Sequence, residues 1–133
     1  MLFDPQESID FNGNTGPFIQ YTYARIQSIL QKNNGDIKID EDSNITDKER
    51  ALIISLLEFP KTIQEAANSF SPALIANYAY EVVKDFNSYY QSTSILGADS
   101  PSIISFRVAL SQQTAKVIKS SMSLLGINVP QRM

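Results

Sequence analysis

Apolar residues recur at three- and four-residue spacings in five stretches of this chain, the period of helices that pack by one face. The first stretch follows Thr15-Gly16-Pro17. At about 100° per residue, Ile19, Tyr23, Ile26 and Leu30 fall within about 60° of one another, which predicts a helix to about Lys32. Thr15 suits the N-cap, and Pro17 suits the first turn, where a missing N–H has no partner to lose. Thr46-Asp47-Lys48-Glu49 has the spacing of a capping box. It opens a second helix carrying Leu52, Ile53, Leu56 and Leu57 that Pro60 stops. A short third helix over about Lys61 to Ser69 is predicted with Thr62 and Glu65 as its capping pair, and with Ile63, Ala66 and Ala67 as its apolar face. Ser71-Pro72 begins a fourth, whose stripe of Ile75, Ala79, Val82, Phe86 and Tyr89 ends near Ser92. Ser100-Pro101 begins a long last helix through Ile103, Phe106, Leu110, Val117, Ile118, Leu124 and Leu125. Gly126, the residue favoured just past a helix end, closes it.

With no strand pattern and no fixed-period repeat, the expected fold is an all-α helical bundle of about five helices. The last two helices are expected to run antiparallel across the Ser94 to Ser100 loop. Residues 1–14 lack a helical period and are read as an irregular connector, and residues 15–133 as the helical domain. A chain of 133 residues is ordinary for one core.

The first helix carries a second stripe. Phe18, Tyr21 and Arg25 cluster on the side roughly opposite the core stripe, so two rings and a guanidinium are expected at the surface. Such a row suits unpaired bases stacked on rings, with the cation for a phosphate or a base edge. It also suits docking of a partner helix, in a non-nucleic-acid interaction module. Tyr90 lies at the edge of the fourth helix's stripe, half-buried, with its hydroxyl in reach of water. Arg107 falls within about 40° of the centre of the last helix's stripe. There it needs an acceptor, and its expected role is structural: an ion pair, or hydrogen bonds to helix-end carbonyls.

Composition narrows the chemistry. The chain contains neither cysteine nor histidine, which removes disulfides, thiolate metal sites, His-paired nucleophiles and the commonest metal ligand. Carboxylates such as Glu65 and Glu81 remain, and nothing in the pattern pairs them. The segment is therefore read as non-catalytic. Asp40, Asp42 and Asn44 match the first three ligands of a calcium loop. Ile45 then stands where glycine is needed and Ala51 where a bidentate glutamate is needed, so no metal site is expected. Asn44-Ile45-Thr46 has the form of a glycosylation acceptor but lacks the secretion signal that would give it meaning. No apolar run is long enough to span a bilayer, and a soluble, cytoplasmic chain without membrane contact is expected. The net charge of −3 opposes binding of nucleic acid by phosphate neutralisation alone, though not by stacking. The basic residues available for a rim are Lys32, Lys116, Lys119 and Arg132. Beyond the last helix the chain ends apolar, at Met133, where a polar tail would be ordinary.

Four blocks carry a resemblance: Phe11-Asn12-Gly13-Asn14-Thr15-Gly16-Pro17-Phe18-Ile19-Gln20-Tyr21 with Ala24-Arg25 and Ser28-Ile29-Leu30; Phe86-Asn87-Ser88-Tyr89-Tyr90; Arg107-Val108-Ala109-Leu110; and Leu124-Leu125-Gly126 with Pro130-Gln131-Arg132-Met133. Over nearly its whole length, and in this order, the chain resembles the C-terminal anticodon-binding domain of arginyl-tRNA synthetase, the helical module called DALR. The resemblance implies a bundle beside a class I catalytic domain of the same chain, gripping the anticodon stem-loop of tRNA(Arg). Phe18, Tyr21, Arg25, Tyr90 and Met133 would then face that arm. Phe18 stands where tyrosine is more usual, which keeps a ring and loses a hydroxyl; Ser94 stands where some relatives carry a bulky aromatic. The class I signatures for activating arginine with ATP and magnesium are absent, so the chain is expected to be a non-catalytic fragment of a monomeric ligase, needing no cofactor of its own. The stretch from Leu2 to Phe11 would be the junction with the catalytic domain.

Overall fold

The computed structural model describes residues 16–33, 35, 37 and 44–130. The predicted connector, the Thr15 cap, most of the acidic loop, Arg132 and Met133 lie outside the described residues. Among the described residues there are five helices: α1 (Gly16–Lys32), α2 (Asp47–Leu57), α3 (Phe59–Ser69), α4 (Pro72–Ser92) and α5 (Pro101–Leu124). None is long and apolar enough to cross a membrane.

Helix ends follow their local chemistry. At α2, Glu49 N–H donates to Thr46 Oγ1 at 3.1 Å and Thr46 N–H donates to Glu49 Oε1 at 2.9 Å, a closed capping box. At α5, Ser100 Oγ accepts from Ile103 N–H at 3.2 Å, and Pro101 occupies the first turn. The end of α5 is a Schellman closure: Ile127 N–H donates to Met122 O at 2.9 Å, Gly126 N–H donates to Ser123 O at 3.0 Å, and Gly126 has φ of 77°.

Two expectations about the middle of the chain are corrected. α3 begins at Phe59, ahead of Pro60, so the proline that terminates α2 stands inside the first turn of the next helix. Only Glu58 separates the two helices. Thr62 is not a cap: its hydroxyl donates back to Glu58 O at 3.0 Å from within the helix. α3 closes on Phe70, the one non-glycine residue among those described with positive φ, at φ 52° and ψ 40°.

The core joins α1, α2, α4 and α5. Ile19, Tyr23 and Ile26 of α1 meet Val82, Val83, Phe86 and Tyr89 of α4 and Val108, Ile118 and Met122 of α5, with Leu52 and Leu56 from α2. The predicted stripe of α4 is buried throughout. On α2, Leu57 is 72% exposed, because it falls about 100° around the helix from buried Leu56 and so off the face shared by Glu49, Leu52 and Leu56. On α5 the buried face is centred differently from the predicted stripe. Ile103 and Phe106 are half-buried and Leu124 is exposed, while Ser111, Thr114 and Ser121 are enclosed. These small residues let neighbouring helices approach α5 closely, and each hydroxyl donates to the carbonyl four residues back at 2.8 Å. α2 runs antiparallel to α4, with Lys48 against Ser88 at one end and Leu56 against Tyr78 at the other.

Candidate nucleic-acid interface

The surface stripe of α1 emerges because its opposite face is occupied: Ile19, Tyr23 and Ile26 are sealed in the core, which turns Phe18, Tyr21 and Arg25 outward. Phe18 is 37% exposed and Tyr21 52% exposed. Between α1 and the segment from the end of α4 to Gly97 lies an open groove of about 850 Å³. Tyr21, Arg25, Ser28 and Lys32 line it from α1, and Tyr90, Gln91 and Thr93 to Gly97 from the other side. Among its lining residues two are cations and none carries a carboxylate.

Arg25 lies at the centre. Its guanidinium carbon is 5.2 Å from the centroid of the Tyr21 ring and 4.8 Å from that of Tyr90. Both are cation–π distances, so rings from α1 and α4 are bridged by one cation. Tyr90, 39% exposed, is stacked on buried Phe86 with centroids 6.2 Å apart, which fixes its plane from beneath. Phe18 lies outside the groove as a shoulder, edge-on to Tyr80 at 6.2 Å; Lys84 in turn lies over the Tyr80 ring at 5.4 Å. The structure thus brings Tyr21, Arg25 and Tyr90 together, sets Phe18 beside them, and does not describe Met133. Lys32 is on the groove, whereas Lys116 and Lys119 are exposed on α5 and are not among its lining residues.

The far wall is held from within. Arg107 Nε donates to Glu49 Oε2 at 3.0 Å, and its Nη1 donates to Ser94 O at 2.7 Å in the loop that lines the groove. Tyr89 O–H also donates to Glu49 Oε2, at 2.8 Å. Burial alone would raise the Glu49 carboxyl. The Thr46 N–H, the Tyr89 hydroxyl and the Arg107 guanidinium together outweigh it and hold the group below its usual range. Burial first, then the Glu49 carboxylate, push the Tyr89 hydroxyl far above its ordinary range, so it stays a proton donor. Buried Ile95 anchors the same loop in the core.

Helical periodicity does not mark Glu49, Tyr89, Asn87 and Thr22 as supports of the groove. Glu49 was legible only as a capping residue, because its second oxygen meets partners forty and fifty-eight positions away. Thr22 and Asn87 carry one available signal, a polar residue flanked by core positions on an amphipathic helix.

A family model for the DALR anticodon binding domain matches residues 19–133. The chain belongs to that family. Over all of its 133 residues this DALR chain is 55% identical to an arginine–tRNA ligase of Flavobacterium psychrophilum, and it is 49% identical to one of Parabacteroides distasonis. It spans 22% and 23% of the length of those relatives. Among solved structures it is similar to the arginyl-tRNA synthetase of Thermus thermophilus. That match has a TM-score of 0.84 at 34% identity, over 98% of this chain and 23% of the other. The all-α fold of the described residues is that of the corresponding part of the Thermus enzyme.

Proposed function

We propose that this DALR domain is the anticodon-arm recognition module of an arginine–tRNA ligase, and that the groove takes unpaired loop bases of tRNA(Arg). In this reading bases stack on Tyr21 and on the part of the Tyr90 ring left exposed beside Arg25, with Phe18 extending the platform, Arg25 and Lys32 supplying charge, and Met133 adding an apolar contact. One observation carries it: in a chain of net charge −3, the groove is walled by rings and two cations, with no carboxylate among its lining residues. Stacking gives sequence-tolerant affinity, and the cations meet the backbone. The family and the ligase relatives support the same ligand.

The domain positions tRNA and performs no chemistry. Attachment of arginine with ATP and magnesium belongs to the catalytic part of the ligase, on which this domain packs in a cytoplasmic, monomeric enzyme. Among the described residues no group of three or more carboxylates converges on one point, and the reading assigns the domain no metal of its own. The test is titration of the isolated anticodon hairpin of an arginine tRNA against wild type, Phe18→Ala and Tyr21→Ala. Weaker binding by both variants is expected, and equal affinity in all three would refute the reading.

A further inference from the structure

Arg25 does not hold its place between two tyrosines by stacking alone. Its Nη1 donates to Asn87 Oδ1 at 2.6 Å, and Asn87 is buried at the contact of α4 with α1. An amide can present either its oxygen or its nitrogen in a given direction, and only the oxygen accepts from a guanidinium. What decides between them is the rest of the amide's surroundings. Asn87 Nδ2 donates to Thr22 Oγ1 at 2.8 Å and to Val83 O at 2.9 Å, which commits both of its hydrogens. The Thr22 hydroxyl in turn donates to Phe18 O at 2.9 Å, so its oxygen is left to accept. The chain therefore runs one way, from Arg25 through Asn87 and Thr22 to the Phe18 carbonyl. Turning the amide over would set oxygen against the Val83 carbonyl and nitrogen against a cation.

We propose that Asn87 is a positioning residue for RNA recognition: the buried Thr22–Asn87 pair locks the guanidinium of Arg25 between Tyr21 and Tyr90 before RNA arrives. The inference rests on the RNA-binding reading of the groove. Asn87 is enclosed and acts through Arg25, whose remaining N–H donors have no partner among the described residues. Holding a long, rotamer-rich side chain in its bound geometry removes an ordering cost from association, an effect of roughly two- to tenfold in affinity.

The experiment is a double-mutant cycle on the anticodon hairpin of an arginine tRNA, using wild type, Asn87→Ala, Arg25→Ala and the double variant, with folding checked by circular dichroism. Thr22→Val, which keeps shape and removes the acceptor, serves should Asn87→Ala fail to fold. A two- to tenfold loss for Asn87→Ala or Thr22→Val in the wild-type background is expected, and no further loss in the Arg25→Ala background. Equal losses in both backgrounds, or no loss in either, overturn the proposal. Nitrogen-detected NMR of the free protein gives the independent reading: rotation about the Arg25 guanidinium bonds is slow in wild type and fast in Asn87→Ala. If Arg25→Ala leaves RNA affinity unchanged, the RNA reading of the groove fails, and the positioning claim fails separately if the Arg25 spectra are identical in wild type and Asn87→Ala.

Discussion

Arg107 on α5 lies 3.0 Å from the carboxylate of Glu49 on α2, and the same guanidinium reaches the Ser94 carbonyl at 2.7 Å. One side chain therefore ties the start of α2 to the loop that walls the groove. Because the Glu49 side chain is enclosed, loss of Arg107 strands its carboxylate where water cannot reach it. Arg107→Met is expected to destabilise the domain by about 3–5 kcal/mol in urea unfolding. At concentrations where it remains folded, RNA affinity also falls as the Ser94 carbonyl loses its donor. Arg107→Lys recovers part of the stability only, since an ammonium lacks the planar fork that serves both acceptors.

Acid sensitivity follows from the same carboxylate. A group whose folded-state value is depressed contributes stability that is fully present above its unfolded value, about 4.5, and is lost as pH falls through the folded value. Wild type should therefore lose stability as pH falls below about 4.5 toward the folded value. Glu49→Gln should start from lower stability at neutral pH and show a flatter acid limb in thermal melts from pH 3 to 7.

Phe70 offers the opposite kind of variant. It holds a left-handed conformation at the end of α3 while its ring is 89% exposed, so it carries a steric penalty without burying surface. Ser71 N–H donates to Ala66 O at 3.0 Å, the closure that glycine favours. Phe70→Gly should raise stability by about 1 kcal/mol, read as an upward shift of the denaturant midpoint. An unchanged or lower midpoint would mean that the ring contributes something its exposure hides.

The groove predicts an unusual salt response. Two cations line it, and each phosphate met by single-stranded nucleic acid contributes a slope of about −0.7 in log K against log salt. Hairpin binding should thus show a shallow slope of about −1.4, and Lys32→Ala should flatten it by about 0.7. Tyr90→Ala should weaken binding by about 1–3 kcal/mol at every salt concentration, because it removes a stacking face and no charge. Parallel titrations at several salt concentrations separate the two effects.

Much of this molecule was legible without coordinates, because its signals are local. The capping box at Thr46, the Ser100 cap and the closure at Gly126 are set by residues within a few positions of one another, where backbone geometry leaves little choice. The two stripes of α1 follow from helical angle alone, since Ile19, Tyr23 and Ile26 must be buried together and their burial forces Tyr21 and Arg25 to the other side. Tertiary structure decided which ring joins Arg25 from a second helix and what satisfies Arg107. The Glu49, Tyr89 and Arg107 trio spans fifty-eight positions, and Arg25 meets Asn87 across sixty-two. Periodicity places a side chain on a face of its own helix. The partner that face meets is set by how all the helices share one core, and that sharing alone turned an exposed row of residues into a groove.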